Sequence, residues 1–394
     1  MSFIANNIAS KGEISQMENI RTTTRVGGKL LTLEHINGES WDKIISSFDG
    51  ACQEQLYIFA KNRWPKVGLE PVLFFENGEV VGGALVLVQA LPLNLASLAI
   101  LKWGPLLKDH TRFDKKEIYD ACVETLLKEY DVKRKMMVSI LARAALQEVN
   151  NEFEYLLERG FKKGSQLRFP NRYFVNLRQN DEELLASFAQ KWRYHLKKSF
   201  KADLHFEQAS CDRIEEFKLL YNQMSGRKKF PDHSAFEDTI DALMAIIDDG
   251  LRPELFFVRH KKEIVSGAVI FKTGDTAVYL YGATSDKALG LRAGYFIHYH
   301  IIRWLRDNTK AKYYDLGGTD GFQGLHQFKK GMVGTKGVIA LVPPVANYSS
   351  KFMPLLFGRF AFFTRDLILS IKHFLSSFRS DIAKPDQKRD KNGY

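Results

Sequence analysis

The sequence predicts an α/β protein built from one unit used twice, and three observations carry that expectation. Residues 69–88, LEPVLFFENGEVVGGALVLV, and 251–270, LRPELFFVRHKKEIVSGAVI, share a frame of L-x-P-x-L-F-F, a polar turn, and E-[VI]-V-x-G-A. Each copy reads as a strand, a hairpin turn and a second strand. The copies start 182 residues apart in a chain of 394, and that length on its own suggests two domains rather than one. The order of elements also repeats: helices first, the hairpin next, then a strand and a helix.

Residues 1–27 hold no apolar run of signal-peptide length and read as a polar leader. SWDKIISSF and QEQLYIFAKNRW read as helices ahead of the first hairpin. KKEIYDACVETLLKEYDVKRK reads as an amphipathic helix with Ile118, Cys122, Leu126 and Leu127 on one face, and MMVSILA returns as a strand. RFPNRYFVNL, at 168–177, is the crossing into the second unit. There DEELLASFAQKWRYHLKKSF and DRIEEFKLLYNQM read as helices, AVYLYGATS as a strand and AGYFIHYHIIRWLRDN as a helix. The expected division is 28–165, completed by 331–348, and 166–330.

After GVIALVPPV the chain becomes aromatic and apolar, with Arg359, Arg365, Asp366 and Lys372 interrupting it before any run reaches membrane-spanning length. Leu356, Phe360, Phe363, Leu367, Ile371, Phe374 and Phe378 fall at steps of three and four, so 349–380 is expected to be an amphipathic helix. It lies either on the protein's own core or on an anionic membrane surface. Residues 381–394 read as a disordered, solvated tail.

Lys and Arg total 57 against 46 Asp and Glu, a formal net charge of +11 that favours anionic partners. Residues 161–230 hold 15 Lys/Arg against 8 Asp/Glu, and KWRYHLKKSFK within them interleaves five cations with Trp192 and Tyr194 and has no acid. Phosphate-binding surfaces have that composition. Three scattered cysteines supply neither a disulfide framework nor a CxxC site, which suits a reducing cytoplasm. P-loop, G-x-S-x-G and H-E-x-x-H patterns are missing, and His298 and His300 face opposite ways on a helix, so no metal site is expected. DKALGLRAGYF, 286–296, opens a helix after a strand and is placed to offer N–H groups to a pyrophosphate.

The densest cluster of glycines lies in YYDLGGTDGFQGLHQFKKGMVGTKG, 313–337. Paired glycines after a strand allow close backbone approach to a substrate, beside the adjacent cations Lys329 and Lys330.

That block, with QEQLYIFAK, ENGEVVGGALVLV, Lys102-Trp103-Gly104-Pro105, RFPNRYFVNL leading to KWRYHLKKS, and Arg227 in SGRKKF, resembles the FemABX-type peptidyltransferases over about residues 40–345. The resemblance implies two tandem GNAT-like domains, mixed central sheets flanked by helices, plus the C-terminal amphipathic helical extension. It also implies amide formation on a cell-envelope precursor, peptidoglycan or a related glycan, with aminoacyl-tRNA as donor and no permanently bound cofactor. An acyl-CoA donor is the alternative; a non-catalytic RNA- or membrane-binding protein on the same fold is another.

Carried over by position, Lys329, next to Phe328, falls on the transfer-step lysine. From the chemistry of amide formation Asp315 is a candidate acceptor for the amine's proton, although a strand-end Asp more commonly anchors its own turn. Lys61 falls on the precursor-binding lysine and Lys191 and Arg193 on the basic pair of the K-x-R helix start. Trp103, Asp109, Arg227, Gly317 and Gly318 complete the expected substrate contacts. Glu54 and Tyr57 stand where the family has Ser and Trp, and Trp103 where it has Arg, so the acceptor side departs from the family pattern. The expected location is the cytoplasm, peripheral to the inner face of the cell membrane.

Overall fold

In the computed structural model, which describes residues 21–228 and 235–382, both copies of the repeated frame fold as antiparallel hairpins. The first is β3 (Gly68–Glu76) with β4 (Glu79–Ala90), the second β11 (Glu254–His260) with β12 (Glu263–Phe271). Each carries a bulge at the same place in the frame. Phe74 and Phe75 face Gly82 and Val80, and Val258 and Arg259 face Ser266 and Ile264, leaving Val81 and Val265 as the extra residues. A shared irregularity at an equivalent position is stronger evidence of duplication than the shared apolar pattern, which any buried strand would show.

Around the first hairpin, β1 (Arg21–Val26), β2 (Lys29–His35), β5 (Ser97–Lys102), β6 (Leu106–Leu107), β7 (Met137–Leu141), β8 (Lys162–Lys163) and β16 (Ala346–Tyr348) complete one sheet. Its order is β1-β2-β3-β4-β5-β7-β16-β8, with β6 on β4. The second sheet runs β10-β11-β12-β13-β14-β9-β15, from β9 (Asn171–Asn176), β10 (Leu204–Ala209), β13 (Thr276–Thr284), β14 (Tyr313–Asp315) and β15 (Val338–Leu341). Within the expected polar leader, Arg21–Val26 is a strand paired along β2, and residues 1–20 lie outside the described residues. The segment 331–348 divides: β15 joins the second sheet and β16 the first.

The helices are α1 (Gly38–Ile45), α2 (Tyr57–Arg63), α3 (Lys115–Leu126) and α4 (Asn151–Glu158) in the first unit. The second has α5 (Asp181–Ser187), α6 (Gln190–Ser199), α7 (Ile214–Lys228), α8 (Phe236–Met244), α9 (Asp286–Leu291), α10 (Ala293–Asn308) and α11 (Gln323–Val333). The last helix is α12 (Phe352–Ile382). Ile118, Cys122, Leu126 and Leu127 are all buried, as their spacing predicts. Beyond Leu126 the α-helix continues as a π-helical turn, Leu127–Lys133, that buries Glu129 and Asp131. Glu129 accepts from Thr22 of β1, and Asp131 accepts from Ser349 Oγ and Ser350 N just ahead of α12.

The single helix expected over DEELLASFAQKWRYHLKKSF is two. Phe188 and Ala189 are extended, and Arg193 Nη1 donates to the carbonyls of Ala186 and Phe188 across the break. Gly334 shows why: at φ 63° its backbone passes against Ser187, where a Cβ would sit 2.1 Å from the carbonyl oxygen. The break lets the chain after α11 close onto the end of α5.

One apolar cluster joins the two units, with Trp41, Phe48 and Phe59 of the first packed in the same core as Phe217, Phe257 and Tyr281 of the second. A polar knot reinforces it: His110 Nδ1 and Asp275 Oδ2 lie 2.8 Å apart, and Asp275 N donates to Asp49 O at 2.9 Å. A core shared at this scale fixes the geometry of whatever lies between the domains.

Candidate active site

The two domains differ in the parallel pair next to each hairpin. In the first, β5 and β7 pair along their whole lengths, Leu98–Lys102 with Met137–Leu141, and Trp103 N extends the ladder to Leu141 O. In the second, β13 pairs with β14 only through Thr276–Val278 and then parts from it. A bulge at Leu280 is the local cause, since Val269 and Ile270 of β12 face Tyr281 and Tyr279. An extra residue bends its strand, and here the bend opens a wedge between β13 and the chain leaving β14.

The wedge is one wall of a cavity of about 330 Å³, lined by Val278–Tyr281, Gly317 and Arg172 of the second domain and Glu54, Arg63 and Lys102 of the first. A second cavity, about 410 Å³, lies on the other side of Arg172 and reaches Cys52, Trp103, His110, Arg143 and Asp275. Arg172, Gln53 and Val278 line both.

Arg172 sits on β9 on the face opposite buried Tyr173 and Val175, so strand alternation aims it into the domain junction. Its Nε and Nη2 donate to Asp315 Oδ2 at 3.0 and 2.5 Å, and its guanidinium lies 5.4 Å from the centre of the Trp103 ring. Asp315 spends its other oxygen on Gly317 N at 2.8 Å, closing the turn in which Gly317 has φ 73°.

Trp103, itself at φ 60°, donates its indole N–H to Glu54, and Lys102 Nζ donates to the same carboxylate at 2.6 Å. The residue after Glu54 holds the turn in place: Gln55 accepts from Leu85 N at 2.7 Å and donates to Lys102 O. Burial pushes the Glu54 carboxyl up, but Lys102, Trp103 and Arg172 outweigh it and hold it below the ordinary carboxylate range. Glu54 and Trp103 are two of the three departures from the family pattern, and they touch.

Lys329 approaches from α11 beneath the glycine turn. Its ammonium donates to Leu316 O and Gly318 O, both at 2.5 Å, leaving one of its three protons uncommitted to them. Burial, opposed by Asp315 and aided by Arg172, brings the ammonium down to about 8. Phe328 is half-buried against the rings of Tyr295, His298 and Trp192. His298 shares a 3.2 Å hydrogen bond with the Tyr314 hydroxyl, and burial with Lys329 nearby brings it down to about 3, so it is neutral at physiological pH.

Lys329, Asp315, Gly317, Gly318 and Trp103 are thus brought together around Arg172, with Phe328 packed behind. Of these, Trp103 and Asp315 line the larger cavity and Gly317 the smaller, whereas Lys329, Phe328 and Gly318 lie behind the turn and line neither. The other expected contacts stand further off. Lys61 is exposed on α2, whereas Arg63, two residues on, lines the smaller cavity and pairs with Asp238 at 2.5 Å. Asp109 is tied to Thr111 N and Oγ1 in an exposed turn. Lys191 is exposed, Arg193 holds the α5–α6 break, and Arg227 binds Thr284 O and Asp286 at the far end of β13. Sequence reasoning missed Arg172, Lys102, Arg63 and the His110–Asp275 pair. For Arg172 the sequence offered only a place on a strand segment, with nothing to mark which face would be inward.

Among the described residues no group of three His, Cys, Asp or Glu side chains is placed to hold a metal ion. Cys52 lines the larger cavity, but burial pushes its thiol up to about 11, a range in which it is protonated and unreactive. Iodoacetamide near neutral pH, followed by peptide mass spectrometry, is expected to modify the more accessible Cys211 and spare Cys52 and Cys122.

Residues 186–330 match the family model described as the acetyltransferase (GNAT) domain. FemX has the same fold at a TM-score of 0.64, with 20% identity, covering 80% of this chain and 97% of FemX. A conserved protein of unknown function from Bacteroides thetaiotaomicron follows at 0.57, with 12% identity and 80% and 99% coverage. The C-terminal domain of a lysylphosphatidylglycerol synthetase from Agrobacterium fabrum aligns at 0.52, with 11% identity and 81% and 95% coverage. Among curated proteins, kinetochore-associated protein rod-1 of Caenorhabditis elegans is 22% identical over 283 residues, 70% of this chain, which spans 13% of that protein's length. The matched family model includes β13, β14 and the opened wedge, and the chain as a whole has the FemX-like tandem GNAT fold with an acyltransferase-class domain as its second half.

Proposed function

We propose that the chain transfers an aminoacyl group from aminoacyl-tRNA to an amine of a cell-envelope precursor, forming an amide. The observation that carries this reading is the wedge between β13 and β14, present in the second domain and closed in the first, with Lys329 and the glycine turn at its base. The acceptor enters between the domains, where Arg63, Lys102 and Arg172 line the cavity, each held by a carboxylate: Asp238, Glu54 and Asp315. The likeness to FemX and to a lysylphosphatidylglycerol synthetase domain supports an envelope acceptor.

In the reaction a neutral amine attacks the acyl carbonyl, a C–N bond forms, and the bond to the ribose oxygen breaks. The amine's proton leaves with the departing oxygen. No covalent enzyme intermediate is needed, in keeping with a protonated Cys52. Lys329 holds the 316–318 turn through two carbonyls and directs its third proton toward the developing negative charge. Asp315, committed to Gly317 and Arg172, serves as a positioning residue.

The basic patch supports the tRNA donor: Lys191, Lys198 and Arg292 crowd His195, where α6 meets the start of α10. The GNAT family match favours an acyl-CoA donor instead, whose pyrophosphate would use the same start of α10. Purified protein is incubated with an envelope-precursor extract and either radiolabelled mixed aminoacyl-tRNA or labelled acetyl-CoA. Label transferred from tRNA supports the reading; transfer from CoA alone replaces the donor; transfer from neither, with acceptors present, would reject catalysis in favour of a binding protein on this fold.

A further inference from the structure

The C-terminal helix is amphipathic in the opposite sense from an ordinary surface helix. Its inward face is a narrow seam, Leu355, Gly358 and Phe362, closed against Leu91, Leu98 and Met137 of the first domain. Gly358 makes the approach possible, since a Cβ there would lie 2.4 Å from the Met137 methyl. Leu356, Phe360, Phe363, Leu367 and Ile371, at steps of four, three, four and four, all point to solvent. Phe360 and Phe363 are 66% and 65% exposed, while Phe362 between them is 9% exposed. Phe352 and Met353 extend the same apolar face at the start of the helix.

A second apolar element stands beside it. The β4–β5 loop packs Leu91 and Ala96 into the seam under α12 and projects Leu93 and Leu95 outward, Leu93 at 88% exposure and φ 59°. A branched apolar residue held in the left-handed region and presented to water is a costly arrangement for a free surface. The two elements share one buried cluster and therefore move as one.

We infer that the chain docks in the plane of an anionic lipid bilayer, with the outward face of α12 and the Leu93–Leu95 tip inserted side by side. Residues 349–372 carry Lys351, Arg359, Arg365 and Lys372 against one acid, Asp366, the charge balance that suits anionic headgroups and opposes a like-charged second copy. No helix among the described residues is long and apolar enough to cross a membrane, so the contact lies along the surface. Asp131, holding Ser349 and Ser350, fixes where the helix leaves the domain, so docking also sets the orientation of the domain pair. This inference is independent of the transfer reading.

The test is flotation of the full chain with vesicles of neutral phosphatidylcholine or with roughly 30% phosphatidylglycerol added. The wild type is expected to float with the anionic vesicles. The Phe360→Ser, Phe363→Ser, Leu367→Ser variant is expected to lose tenfold or more in binding, and Leu93→Ser, Leu95→Ser roughly threefold or more. Both variants alter exposed side chains, and an unchanged thermal midpoint shows that each remains folded. Equal flotation of wild type and triple variant, no flotation of the wild type, or equal binding to both vesicle types would overturn the proposal. So would a wild-type dimer that becomes monomeric in the triple variant without any vesicle binding.

Discussion

Lys329→Met is expected to lower the turnover of acyl transfer by roughly 10²-fold or more while changing the apparent affinity for either substrate by only a few-fold. The reason lies in what the ammonium does before any substrate arrives. It holds Leu316 O and Gly318 O together, and so fixes the turn that forms the base of the wedge. Methionine fills the volume but releases both carbonyls and removes the proton available to the transition state. Lys329→Arg is expected not to rescue, because a planar guanidinium cannot place two donors where one tetrahedral ammonium converges on two carbonyls.

The pH dependence separates this account from a purely structural one. The folded-state value, about 8, is depressed from the ordinary 10.5. Below about 8 the buried ammonium is charged and its burial costs stability. As pH rises from 8 toward 10.5 the folded state sheds the proton that the unfolded state keeps, so this group's contribution to stability rises, by roughly 3 kcal/mol across the window. Activity is expected to fall over the same interval as the clamp loses its charge. A parallel rise of activity and thermal midpoint would show that the charged form is not the working one, and Lys329→Met should lack both trends.

How much of this was legible in the sequence follows from what each feature depends on. The duplicated α/β plan was readable because the L-x-P-x-L-F-F frame reports on a hairpin that depends only on local alternation. The apolar stripe of α12 was readable too, but not its direction. That depends on Gly358 and Phe362 finding Met137 and Leu98, residues more than 200 positions away. The break at Phe188–Ala189 was hidden because its cause, Gly334 against Ser187, is tertiary. The glycine turn with Lys329 was visible as a motif. Arg172, on which both cavities converge, was not, because one of the two arginines in RFPNRYFVNL gains meaning only when β9 is placed beside β14 and across from Trp103.

Arg172→Met is the second large effect, and it tests the junction rather than the lysine. Asp315 is 5% exposed, and Arg172 is the only cation with which it forms an ion pair among the described residues. Removing the guanidinium leaves a buried carboxylate without its ion-pair partner and with only the Lys329 ammonium nearby; breaking a buried pair typically costs up to about 3–5 kcal/mol. Because the two units share one core, the loss is expected as a lower midpoint of a single urea transition rather than as release of one domain. Asp315→Asn in the same chain removes the stranded charge, so the double variant is expected to recover part of that stability without recovering transfer. The activity loss has a separate origin: without Arg172 the Trp103 ring loses its stacked cation, and the partition between the two cavities opens. A single variant costing under about 1 kcal/mol would mean that water already reaches the pair. In that event Arg172 would be a surface cation, and the two cavities one continuous cleft.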